Sequence, residues 1–342
     1  MTTYPMAFIP APGKIEFRNM ELRDPESHEV MLKMRTAAIC GSDLHLFKGK
    51  HPSVSLPSAV GHELAGEVIR VGRDVTGFSE GDRVTVEPVI ACGNCHYCLR
   101  GAYHLCVNIS FQYRKGQGAF AEYFYSPENR TYLLPDSITL EEGTLIEPLS
   151  VALHAVKKSG ISIGQSSVVI GAGAIGLLVS MILRNLTGIT PFISDINDFR
   201  VQKAVDLGAH GIFMRRGEDL NKIVMNLTDD LGVDHAFEAV GMEATLVQAL
   251  QVIKKGGKAT LLGIFEEPTP KIPINLFVQR EISLLGSQGY AWDFQDSINL
   301  VAQGKINLSE LITTRLPLGE LQKGFDLLCQ PGNSQIKLIL EN

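Results

Sequence analysis

Residues 168–176 read VVIGAGAIG, a short apolar strand that runs into a glycine-rich turn and then into a helical segment at 174–186. Glycine permits the tight turn and lets a ligand approach the backbone closely. The first turn of the helix offers N–H groups without intrahelical partners, and these can bind phosphate. The stretch therefore predicts a dinucleotide-binding loop rather than a tight turn that binds nothing. The predicted loop residues are Gly171, Gly173, Ala174, Ile175 and Gly176.

The sequence around this loop alternates short apolar strands with helical segments. Helices are predicted at 174–186 and 200–207, and strands at 168–170, 191–194, 212–214, 233–239, 259–263 and 282–285. Because the strands are short, apolar and separated by helices, they indicate a doubly wound parallel sheet of the Rossmann type.

The chain before residue 150 has a different pattern. Turns rich in glycine and proline break up β-rich runs at 30–35, 64–71 and 83–87. We predict an α/β protein in which residues 1–150 form a β-rich domain and residues 151–286 form the dinucleotide-binding domain. Residues 287–342, with a last strand at 336–340, are expected to return to the first domain.

A carboxylate ends the second strand of the Rossmann pattern. Asp195 lies 19 residues after Gly176, where it can accept the hydroxyls of the adenosine ribose and repel a 2′-phosphate. The sequence therefore favours NAD over NADP. Arg200 can stack on adenine, and the alternative for it is a solvated helix residue. Val240 and Gly263, at the ends of two later predicted strands, complete the predicted cofactor contacts.

Four of the six cysteines lie within fifteen residues and bound a lobe at 92–106. A Cys-x2-Cys turn brings two sulfurs to one side of the backbone, about 2.3 Å from a shared tetrahedral zinc ion. Since protein sulfur would fill all four positions around the ion, the lobe predicts a structural zinc site. A redox cluster of free thiols is the alternative. The four predicted ligands are Cys92, Cys95, Cys98 and Cys106.

Composition excludes several classes of function. The 342 residues carry a net charge of -6 and have no basic run, so nucleic acid is not an expected partner. The sequence has no signal-peptide pattern and no apolar run long enough to span a bilayer. We therefore expect a reduced, cytoplasmic protein without a membrane partner.

A second, sparser set of metal-capable residues precedes the lobe. Residues 40–45 read CGSDLH and residues 61–63 read GHE. A lone cysteine is more often a small core residue, and a lone histidine is more often a structural one. Their combination nevertheless favours a second metal site, one that stays open to substrate.

In this order, the CGSDLH and GHE motifs, the cysteine lobe, Glu147-Pro148 and the glycine loop resemble the zinc-dependent medium-chain alcohol dehydrogenases. Residues 145–151, LIEPLSV, are similar to the polyol branch, which includes sorbitol and butanediol dehydrogenases. The resemblance implies an amino-terminal GroES-like catalytic domain and an active site in the cleft between the domains. It also implies a catalytic and a structural zinc ion, NAD, a small-molecule alcohol substrate, and assembly as a homodimer or homotetramer.

By this resemblance, Cys40 and His62 would bind the catalytic zinc. A carboxylate is expected as the third protein ligand, because the lobe accounts for four cysteines and Cys329 lies far from the matching motif. Glu63 is the first choice, and Glu147 is an alternative or exchanging ligand. Either carboxylate would suit zinc at about 2.0–2.2 Å.

The resemblance also assigns a proton path. Asp43 would hold the zinc-binding imidazole in one tautomer. Ser42 would hydrogen-bond the substrate oxygen, and His45 would pass the proton through the cofactor ribose to solvent. Zinc would act as a Lewis acid while hydride passes to the nicotinamide ring. The alternatives are a helix-capping serine and a surface histidine.

The sequence of the substrate pocket departs from that of sorbitol dehydrogenases, which commonly carry an Arg-Tyr pair where this chain has Gly289 and Tyr290. Tyr290 and Tyr123 are the predicted pocket residues, with ordinary strand packing as the alternative for Tyr123. Without the guanidinium, shorter diols, other polyols and phosphorylated sugar alcohols stay open as substrates. The other functions in view are a threonine-type dehydrogenase, a zinc-free reductase on the same fold, and a non-catalytic zinc- and NAD-binding protein.

Overall fold

The computed structural model describes residues 2–342. The chain forms two compact units, one of Met1–Glu147 with Phe294–Asn342 and one of Pro148–Asp293. Among the described residues, no helix combines the length and apolar character that crossing a bilayer requires.

The strands and helices are numbered here in chain order. The strands are β1 (Thr3–Ile9), β2 (Glu16–Glu21), β3 (Glu29–Ala38), β4 (Ser58–Ala59), β5 (Glu63–Val71), β6 (Arg83–Val86), β7 (Val89–Ile90), β8 (Ser110–Phe111), β9 (Tyr123–Pro127), β10 (Thr131–Leu133), β11 (Ser167–Ile170), β12 (Phe192–Asp195), β13 (His210–Phe213), β14 (Val233–Glu238), β15 (Ile253–Leu261), β16 (Ser283–Gly286), β17 (Ile312–Pro317) and β18 (Lys337–Glu341). The helices are α1 (Gly41–Phe47), α2 (Leu140–Thr144), α3 (Ile146–Ser159), α4 (Ala174–Thr187), α5 (Asp198–Asp206), α6 (Leu220–Leu227), α7 (Glu243–Val252), α8 (Asn275–Arg280), α9 (Asp293–Ala302) and α10 (Leu321–Cys329).

The first unit is built around β3. Its main sheet has the order β10-β6-β5-β3-β18-β17, and β9 also pairs with β3. Val30 and Leu32 are fully buried, because alternate side chains of a strand point to the same face. The registers Ala38↔Glu63 and Ile339↔Ala38 bring the end of β3, the start of β5 and the start of β18 together at one end of the sheet.

Helix α1 starts where β3 has ended, and it packs against the carboxyl-terminal part of the chain. The ring of Phe47 stacks on that of Phe325 in α10, with centroids 4.7 Å apart. Both side chains belong to the main hydrophobic core of this unit. The helix is therefore fixed to the sheet by aromatic packing at its end, while its first turn lies beside the strand ends described above.

The second unit is a parallel sheet with the order β13-β12-β11-β14-β15-β16. Strand β11, the first strand of this unit in sequence, lies in the middle of the sheet. All four of its residues are buried, as expected when helices cover both faces. From β11 the chain adds β12 and β13 on one side of the sheet and then β14, β15 and β16 on the other side. The place between β11 and β14, where the direction changes, is the switch point of the sheet. In sheets of this class, ligands bind at the switch point, outside the carboxyl ends of the strands.

The α/β fold class predicted from the sequence is confirmed, and so are the predicted strands and helices, with ends that shift by three residues or fewer except at β15, which begins six residues before the predicted start. Residues 120–122 lie directly before β9 (Tyr123–Pro127) and are not part of it. The reason is local pairing: Ala7 donates its N–H to the Phe120 carbonyl and Met6 bridges to Ala121, so these residues join β1 before the ladder with β3 begins.

The compact units divide at 147/148 and 293/294, and the domain limits at 150/151 and 286/287 stay predictions. The first break coincides with the amino-terminal turn of α3. The second is explained by Asp293, whose carboxylate accepts from His154 Nδ1 and from Lys157 Nζ, each at 2.8 Å. These bonds tie the segment after β16 to α3, and therefore to the second unit.

We expect His235 to make the protein less stable in acid. Its side chain on β14 is 3% exposed, and burial together with the charge on Lys258 lowers its pKa from 6.5 to about 4. The unfolded chain therefore binds a proton below pH 6.5 that the folded chain does not bind until about pH 4, so stability falls as pH drops through this window. The full shift corresponds to about 3 kcal/mol.

Urea unfolding of wild type and His235→Leu at pH 7 and pH 4.5 checks this expectation. The variant should lose less unfolding free energy between the two pH values than wild type does. His28→Gln is the control for removal of an imidazole, because the His28 side chain is 74% exposed. An equal acid loss in wild type and His235→Leu would contradict the prediction.

Candidate functional site

Three predicted metal ligands meet at the end of the sheet in the first unit. Ligand atoms of Cys40, His62 and Glu63 all lie within 4.8 Å of one another. Cys40 is the residue before α1, and Glu63 is the first residue of β5. The strand registers around Ala38 place these two chain segments side by side. One sulfur, one imidazole nitrogen and one carboxylate oxygen form a donor set that zinc accepts, with room for a fourth ligand.

Asp43 connects the two segments that carry these ligands. One of its oxygens accepts the backbone N–H of Cys40 at 3.0 Å, and the other accepts that of Gly61 at 3.3 Å. The same second oxygen lies 3.5 Å from Nδ1 of His62. Because Asp43 is 3% exposed, it can fix the orientation of the imidazole and direct Nε2 towards a metal.

The charges around the triad favour a cation. Burial disfavours the protonated form of His62, but Asp43 and Cys40 outweigh it and hold the pKa of the imidazole well above 6.5. The apoprotein thus attracts positive charge to this position. The donor set and the negative surroundings both fit a divalent ion.

Lys337, the first residue of β18, is the site residue that the sequence analysis missed. Its side chain is fully enclosed, and Nζ donates to both carboxylate oxygens of Glu63 at 2.5 Å. Burial alone would lower the pKa of this lysine, but Glu63, Cys40 and Glu147 raise it above its ordinary value. Lys337 stands among apolar residues in the predicted strand 336–340. This position was the signal for a buried partner, since lysine is almost never fully buried unless it is paired.

We expect Lys337→Met to destabilise the zinc-free protein by about 3–5 kcal/mol, because Glu63 would remain buried without its counter-ion. Zinc loading should recover part of this loss, since a metal cation would take over the role of the ammonium group. Urea unfolding of the zinc-free and zinc-loaded forms measures both effects. The double variant Glu63→Gln with Lys337→Met removes both charges and should be more stable than the single variant. Equal stability of the two would contradict the pairing.

The remaining predicted residues of the first unit lie on two helices and one strand. Glu147 is in the first turn of α3 and is 6% exposed, but it is not part of the ligand cluster found among residues 2–342. Ser42 and His45 are both half-buried and lie three residues apart on α1, so they share a face of that helix. The ring of Tyr123 packs edge-on against Tyr4, with centroids 5.5 Å apart.

The four lobe cysteines also converge. All four sulfurs lie within 4.8 Å of one another, with Cys92 and Cys98 4.0 Å apart and Cys95 and Cys98 3.5 Å apart. Four sulfurs placed tetrahedrally at about 2.3 Å from one ion would be separated by about 3.8 Å. The backbone N–H groups of Cys92 and Asn108 donate to the Cys106 sulfur at 3.3 Å, which stabilises a thiolate. The lobe therefore fits a zinc ion closed by protein ligands.

A buried charge network anchors this lobe to the sheet. The guanidinium of Arg130 lies over the ring of Tyr103, 4.4 Å from its centroid. Arg130 also pairs with the fully buried Glu87 at 2.8 Å. Glu87 in turn accepts from the Tyr132 hydroxyl at 2.9 Å. Since Tyr103 is inside the lobe and the other three residues are outside it, the network fixes the lobe in place.

The glycine loop of the second unit has the geometry of a phosphate cradle. Gly171 has φ +99, and a Cβ there would lie 2.6 Å from Val240 Cγ2. A Cβ on Gly176 would lie 1.8 Å from the Gly171 carbonyl oxygen, so helix and strand pack backbone to backbone. At Gly173, by contrast, a Cβ would meet nothing within 4 Å. Gly173 is the N-cap of α4, so open space lies where the helix presents its free N–H groups.

The other predicted cofactor residues surround this loop. Asp195 ends β12, and its carboxylate accepts from the N–H of Ala172 at 2.7 Å and of Asn197 at 2.9 Å. Arg200 is in the first turn of α5. Ala174 and Ile175 start α4, Val240 follows β14, and Gly263 follows β15. Tyr290 is 1% exposed in the segment after β16. Open glycine backbone, helix N–H groups and a nearby carboxylate fit a dinucleotide.

Comparison with known proteins agrees with this geometry. The family profile described as alcohol dehydrogenase GroES-like domain matches residues 26–136, and that described as zinc-binding dehydrogenase matches 174–303. D-arabitol-phosphate dehydrogenase of Enterococcus avium is 34% identical to the chain, over 97% of the chain and 96% of the relative. Sorbitol dehydrogenase of Bacillus subtilis is 31% identical, over 96% and 94% respectively. The crystal structure of 2R,3R-butanediol dehydrogenase from Bacillus subtilis aligns with a TM-score of 0.89 at 32% identity, covering 99% of each chain.

The chain belongs to the zinc-dependent medium-chain alcohol dehydrogenase family. It is an oxidoreductase that uses zinc and a nicotinamide dinucleotide. The family predicted from the motifs is confirmed, and the zinc-free and non-catalytic alternatives are not favoured.

Proposed function

We propose that the protein oxidises a secondary alcohol group of a polyol, diol or sugar alcohol, phosphorylated or not, and passes the hydride to NAD. The observation that carries this proposal is the cluster of Cys40, His62 and Glu63, which offers metal ligands while leaving a position for substrate. When bound, zinc supplies a Lewis acid for the substrate hydroxyl, and NAD supplies the hydride acceptor.

Glu63 is the third protein ligand in this proposal. Its carboxylate lies with Cys40 and His62 in one cluster, and Glu147 is outside the cluster in the described chain. Lys337 holds both oxygens of Glu63, and each oxygen keeps a further lone pair. Glu63 can therefore bind a metal and Lys337 together, while the more distant Glu147 balances charge or exchanges with it.

Helix α1 would carry the proton. Ser42 hydrogen-bonds the substrate oxygen and takes its proton, and His45 passes that proton through the cofactor ribose to solvent. Their shared helix face and partial exposure support this path. Asp43, on the buried side of the same helix, keeps His62 in one orientation.

Asp195 selects NAD in this proposal. Its carboxylate already accepts from the N–H of Ala172 in the glycine loop, so it is held at the end of β12. A negative group there accepts ribose hydroxyls and repels a 2′-phosphate.

The relatives suggest the substrate class. Their names specify an arabitol phosphate, sorbitol and a butanediol, which share a secondary alcohol beside another hydroxyl-bearing carbon. Gly289 stands where sorbitol dehydrogenases commonly carry an arginine, so sorbitol is not the substrate we favour. Tyr123 and Tyr290 are proposed to line the pocket.

The direct test measures NADH formation from a panel of polyols, vicinal diols, phosphorylated sugar alcohols and threonine, with and without a zinc chelator. We expect oxidation of at least one polyol, diol or sugar alcohol, loss of activity with the chelator, and two zinc ions per chain by metal analysis. Turnover of threonine alone would overturn the proposed substrate class, and chelator-resistant activity would overturn the role of zinc.

We also propose a homodimer or homotetramer in a reducing compartment such as the cytoplasm. Strand β16 forms one edge of its sheet, and exposed edges invite pairing with another chain. Apolar side chains that flank this strand in sequence are exposed, with Val278 at 82% and Trp292 at 69%.

Light scattering after size-exclusion chromatography tests the assembly, and a monomer at micromolar concentration would contradict it. None of the six cysteines, all of which lie within the described residues, forms a disulfide, in keeping with a reducing compartment.

A further inference from the structure

A buried carboxylic acid without a part in the proposed mechanism lies at the switch point of the second unit. Glu238 is the last residue of β14 and is 0% exposed. Its Oε1 accepts three hydrogen bonds, from the N–H of Val240 at 2.9 Å, the N–H of Gly241 at 2.8 Å and the hydroxyl of Thr245 at 2.8 Å. One oxygen thus holds the loop after β14 and the first turn of α7.

The other oxygen of Glu238 faces the neighbouring loop. Within residues 2–342 its Oε2 has no hydrogen-bond partner, and a Cβ on Gly263 would lie 2.7 Å from it. Burial raises the pKa of this carboxyl group above its ordinary value. The side chain is therefore enclosed between the loop after β14 and the loop after β15.

Three loops pack backbone to backbone around this side chain. A Cβ on Gly241 would lie 2.2 Å from the Ile264 carbonyl oxygen, and one on Gly263 would lie 2.2 Å from the Gly241 nitrogen. A Cβ on Gly171 of the glycine loop would lie 3.3 Å from the Ala239 carbonyl oxygen and 2.6 Å from Val240 Cγ2. A shift of the loop at 239–242 would therefore displace both of its neighbours, and Glu238 supplies the hydrogen bonds that prevent this shift.

The position of these loops relates them to one half of a dinucleotide. In a doubly wound sheet, the two nucleotide halves lie on the two sides of the switch point. Asp195 at the end of β12 marks the adenosine side. The loops after β14 and β15 belong to the opposite side, on which the second nucleotide would lie.

We propose that Glu238 is a positioning residue for the nicotinamide half of the cofactor. It fixes the loop at 239–242 against the loop after β15 and so sets the surface on which that half rests. This inference rests on the proposed binding of NAD at the glycine loop. Glu238 itself is enclosed and acts through the loop backbone rather than by touching the cofactor.

The test compares two ligands on the full-length, zinc-loaded chain. AMP probes the adenosine half alone, whereas NADH probes both halves, and titration calorimetry gives Kd for each. Glu238→Met removes the three-fold acceptor while nearly keeping the volume, and we expect it to raise Kd for NADH about ten-fold while leaving Kd for AMP within two-fold. Glu238→Gln keeps an acceptor oxygen and should stay within about three-fold of wild type for both ligands.

Thr245→Val is a second variant that tests the same inference if Glu238→Met does not fold. It removes one of the three donors to Glu238. We expect it to raise Kd for NADH about three-fold while leaving Kd for AMP close to that of wild type. Unchanged NADH binding in Glu238→Met, or in Thr245→Val if Glu238→Met does not fold, would overturn the inference. Equal weakening of NADH and AMP would show a general loss of fold and would also overturn it. If wild type binds neither ligand, the proposed cofactor site itself fails, which is a distinct result.

Discussion

His62→Ala is expected to lose one of two zinc ions per chain and to reduce turnover with the best alcohol substrate by at least about a thousand-fold. A metal Lewis acid contributes several kcal/mol to transition-state stabilisation, and about 4 kcal/mol corresponds to a factor of a thousand. His62 is one of the three clustered ligands, so the alanine variant keeps only two protein ligands for the catalytic zinc. Metal analysis and steady-state kinetics on the same preparation measure both effects.

Ser42→Ala is the matched comparison for this variant. It should keep both zinc ions and its NADH affinity, yet lose roughly a hundred-fold in turnover, because proton transfer typically contributes a factor of 10² or more. The two variants would then separate metal binding from proton transfer. Two retained zinc ions in His62→Ala would contradict the ligand assignment, and unchanged turnover in Ser42→Ala would contradict the proton path.

Cys106→Ser should have the largest effect on stability. Cys106 is 4% exposed, accepts two backbone N–H groups and lies within 4.8 Å of the other three lobe sulfurs. Structural zinc contributes on the order of 10 kcal/mol in small zinc-binding modules. We expect loss of the second zinc ion, proteolytic cleavage within residues 92–108, and a thermal midpoint lowered by several degrees or more.

Cys329→Ser is the control for the lobe. Cys329 is in α10 and is half-buried, and among the described residues it belongs to neither metal-capable cluster. It should keep both zinc ions and the protease resistance of the lobe. If Cys106→Ser retained two zinc ions and resisted proteolysis as well as Cys329→Ser does, the structural site would be disproved.

The fold and the two clusters of metal-capable side chains could be predicted because their signals are local. The glycine loop, the four cysteines and the two short motifs are each contiguous or closely spaced, and short apolar runs that alternate with helical segments identify the second unit. Lys337 and Glu238 could not be predicted in the same way. The partner of Lys337 is 274 residues away, and the role of Glu238 depends on how three separate loops pack.

The domain limits show the same contrast. Pattern changes place them near 150 and 286, but the bonds from Asp293 to His154 and Lys157 extend the second unit to residue 293. Hydrogen bonds between side chains that are far apart in sequence produce no recognisable pattern in the sequence. Such contacts can be found only after the chain is folded.

Because Glu63 and Lys337 are far apart in sequence, they are synthesised at different times. At about 5–20 residues per second, the ribosome needs roughly 14–55 s to add the 274 residues that separate them. During that time β18 has not yet been made, and residues 36–38 of β3 lack the strand that later pairs with them. The cysteine lobe, complete by residue 106, can take up zinc early in translation. The pairing of Glu63 with Lys337 can form only after β18 has been made, so a nascent chain that has not reached residue 337 has Glu63 without this counter-ion.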